Sequence, residues 1–277
     1  MSRALLSLAI LAVRFFSSLA ALAVLAGSPS SVHAQTGSIG IVIMHGKGGL
    51  PTGLVAGLAR NLEGRGYLVA NLEMPWSGNR NYDVPVARGE EEVAAAVAGL
   101  RVKGATKVFV AGHSQGGVFA LYLAGRLTVD GTICIAPGGN VDHYFFWPKV
   151  RDGLARARQL VGEGKGGEPA PLDDFEGARG SYQVVAVPAA YVTWFDPDGA
   201  MNMERAARAV RQAAPVLWIV PQREVPGMRK TNIPTFRSLP AHPLTRLYEP
   251  DSDHRGAPGA SVDEIARWTS EVAASLR

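Results

Sequence analysis

Short, branched apolar runs alternate with helical segments along most of this chain, and that alternation limits what it can fold into. "SIGIVIM" (38–44) is apolar at successive positions, as in a strand buried on both faces. "GLVAGLARNLEGRG" follows, with Leu54, Val55, Leu58 and Leu62 at helical spacing and Gly66 as a stop signal. Next come the strand "YLVANLEMP", the helix "ARGEEEVAAAVAGLRVKG", the strand "TKVFVAGHS", the helix "QGGVFALYLAGRL" and the strand "DGTICIAPGG". From Asn140 to about Ala200 the rhythm breaks, and this stretch reads as an insertion, partly helical and partly loop. The rhythm resumes with the helix "MNMERAARAVRQA", the strand "PVLWIV", a Pro-rich connection, the strand "LTRLYEP" and the amphipathic helix "SVDEIARWTSEVAASLR". The pattern predicts an α/β class: a doubly wound, mainly parallel sheet of about six strands with helices on both faces, in the order 2-1-3-4-5-6.

The first residues stand outside this rhythm. Arg3, an apolar stretch and the small-residue ending Val32-His33-Ala34 predict a secretory signal peptide over 1–34, cut after Ala34. Arg14 interrupts the apolar run, which argues against a stable membrane anchor. The expected location is periplasmic or secreted, with a single domain over 35–277. Arg3 and Arg14 supply two of the four net positive charges, so the basic balance says little about partners. No basic cluster with interleaved aromatics is present, which argues against nucleic acid. Cys134 is the sole cysteine, so no disulfide can form within the chain; its apolar surroundings predict a packed core thiol.

In a sheet of this kind, functional residues gather beyond the carboxyl ends of the strands. Ser114 satisfies that condition, because it lies between the third strand and a helix in Gly112-His113-Ser114-Gln115-Gly116. Glycines on either side permit a sharp strand-to-helix turn that lifts the hydroxyl out of the sheet beside a helix N-terminus. A serine nucleophile needs a base. Of the six histidines, His33 falls in the leader, His113 is fixed beside Ser114 and points away, and His45 braces the loop after the first strand. His242 precedes the sixth strand, at the wrong edge, and His143 lies in the insertion, where it could line a pocket. His254 follows the sixth strand and is the candidate base. The base needs a carboxylate to orient it. Glu224 follows the fifth strand at the correct edge, and Asp196 is the alternative acid. Asp251 and Asp253 are close enough to His254 to shape its loop instead. Backbone N–H donors for a developing oxyanion are expected at Gln115 and in "HGKGG", from Lys47 or Gly48, with the Lys47 side chain solvated.

The chain resembles an α/β-hydrolase in its GHSQG motif at 112–116, its HG-type loop at 45–49, and the chain order Ser114, Glu224, His254. The resemblance spans about Ser38 to the C-terminus, without the family's extra early strands, and the acid position more often carries Asp. It implies a serine hydrolase acting on a carboxylic ester of a small-molecule acyl substrate, with no metal or organic cofactor. Amidase, thioesterase and acyltransferase chemistry use the same parts; a non-catalytic binding protein would be expected to carry a damaged set. The insertion at 140–200 corresponds to the family's substrate-covering cap. There His143 and the aromatics of "VDHYFFWPK", together with Trp76 after the second strand, are candidates for substrate binding, or for packing alone.

Overall fold

The structure, a computed structural model, describes residues 38–211 and 214–275. The signal peptide expected at 1–34 lies outside the described residues. No described helix is long and apolar enough to cross a membrane. In chain order the first half comprises β1 (Ser38–Met44), α1 (Ala56–Gly64), β2 (Leu68–Leu72), α2 (Val86–Val102), β3 (Ala105–His113), α3 (Gln115–Ala124) and β4 (Gly131–Ile135). The second half comprises α4 (Trp147–Gly162), β5 (Ala170–Glu176), β6 (Gly180–Ala186), α5 (Pro188–Phe195), α6 (Met203–Ala209), β7 (Val216–Ile219), α7 (Pro226–Arg237), β8 (Arg246–Tyr248), α8 (Ala257–Ala260) and α9 (Val262–Ser275).

Six strands form one parallel sheet in the order β2-β1-β3-β4-β7-β8. Alternate residues of a strand face opposite ways, and each face here meets its own helices. Val42 and Met44 join Val108, Val110, Trp218 and the α3 residue Phe119 on one side. Ile41 and Ile43 join Phe109, Ile133, Leu217 and the α9 residue Trp268 on the other. Both sets are fully buried, which explains why β1 reads as an unbroken apolar run. Cys134 lies in the first of these cores as a free, buried thiol, and burial raises its pKa.

The insertion is more regular than its sequence suggests. It holds α4, an antiparallel hairpin of β5 and β6, and α5. The hairpin is a sheet of its own, so β7 and β8 take the fifth and sixth places in the main sheet. Leu154, Leu172, Tyr191 and Trp194 of the insertion share one apolar core with Phe119 and Trp76 of the body. The expected Pro-rich connection after β7 is the helix α7. Pro226 opens it, where a missing N–H costs nothing, and Pro234 lies inside it. With two prolines and the polar Thr231, Asn232 and Thr235, the segment presents no clean apolar stripe in sequence.

Strand register brings the chemistry to one edge. Met44 pairs with Gly112, Gly112 with Cys134, Ile135 with Ile219, and Ile219 with Tyr248. The loops that follow β1, β3, β4, β7 and β8 therefore leave the sheet side by side.

Candidate active site

Ser114 caps the N-terminus of α3 with φ 54° and ψ −117°, a left-handed backbone for a residue with a side chain. Such strain persists only where the surroundings impose it. Here the imposition comes from close backbone crossing. A Cβ on Gly112 would lie 2.0 Å from the Gly116 carbonyl oxygen, and one on Gly116 would lie 2.7 Å from the Met44 and His45 carbonyl oxygens. Gly112→Ala is expected to destabilise the fold by about 3 kcal/mol or more, because both clashing partners are backbone. Gly99→Ala, in the last turn of α2 where an added methyl meets nothing, is expected to be neutral or slightly stabilising. Urea unfolding of the two variants checks the contrast.

His254 Nε2 is 3.1 Å from Ser114 Oγ, and His254 Nδ1 is 2.9 Å from Glu224 Oε2 and 3.1 Å from Oε1. A carboxylate only accepts, so Nδ1 carries the proton and Nε2 is free to accept from the serine hydroxyl. The Glu224 carboxylate is fully buried and also accepts the Val225 N–H at 2.7 Å, whereas His254 keeps 22% of its side chain exposed. Acid and base meet because pairing continues past the strand ends: Gln222 N–H donates to the Pro250 carbonyl, Arg223 N–H donates to the Ser252 carbonyl, and Arg223 bridges Asp253. Asp253 accepts the Gly256 N–H and Asp251 pairs with Arg223, so both shape the loop. Asp196 is not the acid partner of His254. It lies at the end of α5, where it accepts the Asp198 N–H at 3.1 Å and faces Arg158 at 3.7 Å.

Two further histidines hold this edge together. His45 Nδ1–H donates to the Gly46 carbonyl, and its Nε2 accepts the Met74 N–H. His113 Nε2–H donates to the His254 carbonyl at 2.9 Å, so the residue beside the serine fixes the backbone of the base. Burial pushes the His113 imidazole down to about 3. Below pH 6.5 the unfolded chain therefore takes up a proton that the folded chain refuses. The contribution to stability is full above pH 6.5 and declines as the pH falls toward 3, by about 2 kcal/mol between pH 6.5 and 5. His113→Asn is expected to flatten that slope when urea unfolding is compared at pH 7 and pH 5.

The loop after β1 lies against the serine: a Cβ on Gly46 would be 3.1 Å from Ser114 Cβ. Gly48 N–H is occupied by the Trp76 carbonyl at 2.9 Å, which leaves Lys47 N–H as the candidate donor of this loop. Neither Lys47 N–H nor Gln115 N–H has an acceptor among the described residues. The Lys47 side chain is not solvated as expected. It is buried, its ammonium is paired with Asp174 of β5, and burial lowers its pKa.

The two candidate substrate contacts differ in their surroundings. Trp76 is buried in the core against Phe119 and Trp194, with its indole N–H donating to the His45 carbonyl. His143 sits in a turn before α4, where it accepts the Phe145 N–H, its ring lies tilted against Tyr144, and its Nε2 is buried with no partner among the described residues. The structure puts Gly138 and Met228 beside the serine. A Cβ on Gly138 would lie 3.3 Å from Ser114 Oγ and 2.3 Å from Met228 Cε. Met228 belongs to α7, the helix hidden in the Pro-rich segment, and no motif marks it.

No family model matches the sequence, and no curated protein matches it either. Solved structures do match. One reported for LipS and LipT, two metagenome-derived lipolytic enzymes, has a TM-score of 0.60 at 18% identity, covering 85% of this chain and 95% of that one. The monoacylglycerol lipase of Paleococcus ferrophilus has a TM-score of 0.60 at 17% identity, covering 84% and 94%. The α/β hydrolase GrgF from Penicillium reaches 0.62 at 14% identity, covering 85% and 89%. The sheet order, the strained turn at Ser114 and these likenesses define one class. The chain has the α/β-hydrolase fold.

Proposed function

We propose that the protein is a serine hydrolase that cleaves a carboxylic ester through an acyl-enzyme on Ser114. The observation that carries this reading is the hydrogen-bonded chain from Ser114 Oγ through His254 to the buried Glu224, beside two backbone N–H groups without acceptors among the described residues. Ser114 Oγ attacks the ester carbonyl carbon while His254 Nε2 takes its proton. Glu224 holds the imidazole and stabilises the imidazolium that forms. The Lys47 and Gln115 N–H groups face the oxyanion. His254 then returns the proton to the departing alcohol. In the second half, His254 removes a proton from water, which attacks the acyl-enzyme; the bond to Ser114 Oγ breaks, His254 returns the proton to that oxygen, and the acid is released. The lipolytic enzymes and the monoacylglycerol lipase that share the fold support ester chemistry over other acyl transfers. The test is labelling with a fluorophosphonate probe, which is expected to mark the wild-type protein at Ser114 and leave Ser114→Ala unmarked. Equal marking of the two would overturn the assignment.

A further inference from the structure

One carboxylate of the insertion is linked to the side chains of both residues whose N–H groups are the candidate oxyanion donors. Asp174 is 1% exposed, and it accepts from Lys47 Nζ, from the Tyr82 hydroxyl at 3.1 Å, from the Tyr182 hydroxyl at 3.2 Å and from the Phe175 N–H at 2.7 Å. Lys47 is the residue whose own N–H is the donor in the loop after β1. The second donor is reached through Tyr82, whose single proton is divided between Asp174 Oδ2 and Gln115 Oε1, the latter at 3.4 Å. Tyr82 is itself held at φ 60°, directly after Asn81 at φ 48°. Two consecutive non-glycine residues in left-handed backbone bring this hydroxyl beneath the insertion.

Fastening the insertion to the body does not call for such a network. Lys47 Nζ lies among the rings of Phe146 at 4.8 Å, Phe195 at 5.0 Å and Tyr82 at 5.8 Å. In these surroundings the desolvation of both charges offsets much of their attraction, so the pair itself adds little to the hold between the surfaces. A buried ion pair differs from apolar contact in being directional.

We propose that Asp174 is a positioning residue of the oxyanion hole, aiming the Lys47 N–H through the Lys47 ammonium and the Gln115 backbone through Tyr82. This rests on the hydrolase reading above. The insertion then does more than roof the site: one of its carboxylates sets the angle of the two donors. Removing a whole oxyanion donor costs about 10²–10³ in rate, so misaiming both is expected to cost about 10–100-fold.

The test compares wild type, Asp174→Asn and the double variant Lys47→Met with Asp174→Leu, which replaces the pair by apolar side chains. Melting temperature, the rate of Ser114 phosphonylation by a fluorophosphonate, and kcat and KM for p-nitrophenyl butyrate are measured for each. Both variants are expected to lose about 10–100-fold in phosphonylation rate and in kcat with KM nearly unchanged. The double variant is expected to do so while melting above Asp174→Asn, because it leaves no unpaired buried ammonium, and below wild type, because the Tyr82 hydroxyl and Phe175 N–H lose an acceptor. A double variant that recovers phosphonylation rate together with stability would overturn the positioning role, as would Asp174→Asn reacting at the wild-type rate. Wild type that is not labelled at Ser114 would instead remove the hydrolase reading, and the inference with it.

Discussion

Ser114→Ala is expected to lose roughly 10⁶-fold in kcat toward an activated ester such as p-nitrophenyl butyrate, while folding normally. The loss is large because the serine, the imidazole and the carboxylate act as a unit, so removing one strands the others. Nothing else among the described residues can replace the hydroxyl at this edge. Cys134 is enclosed in the core with a raised pKa, and Ser77, on the loop after β2, is committed to Glu73. Alanine also relieves no steric conflict, because the strain at 114 is imposed by Gly112 and Gly116 and their neighbours. Circular dichroism and melting should therefore match wild type while steady-state hydrolysis falls to the level left by the two N–H donors. Hydrolysis retained within about tenfold would remove Ser114 from the mechanism.

Glu224→Gln is expected to lower kcat by about 10⁴-fold. The carboxylate can only accept, and that restriction fixes the proton on His254 Nδ1. A glutamine amide can turn its NH₂ toward Nδ1 and favour the other tautomer, with the proton on Nε2 facing the serine. It also withdraws the negative charge that stabilises the imidazolium. Glu224 has no solvent exposure, so no water can substitute for it. Asp196→Asn is the comparison, and it is expected to stay within about twofold of wild type because Asp196 serves Arg158 and the Asp198 N–H. A reversal of these two results would return the acid role to Asp196.

The periodic parts of this molecule were readable in its sequence, and the parts made by distant pairing were not. Strands buried on both faces write themselves as apolar runs, which is why β1, β3, β4 and β7 and the turn at Ser114 could be located. Glu224 and Asp196 could not be separated, because the deciding feature is a bridge between Arg223 and Asp253, set by how two loops leave the sheet. The ion pair between Lys47 and Asp174 joins residues 127 apart, and no local pattern announces it. α7 was hidden by Pro226 and Pro234, and with it Met228. Trp76 shows the opposite case: an aromatic residue near a loop can be core just as readily as pocket wall, and composition does not distinguish them.

The shared core between insertion and body bears on how substrates enter. Swinging the insertion aside would part Trp194 from Trp76 and Phe119, and Tyr191 and Phe195 from Tyr82, bringing all six rings into water. At about 1.5–3 kcal/mol for each large apolar side chain, that motion costs on the order of 10 kcal/mol or more. This is comparable with the whole stability of an ordinary domain. Wholesale opening would thus be tantamount to unfolding. On the proposed reading, a substrate must therefore reach Ser114 with the insertion still seated on the body.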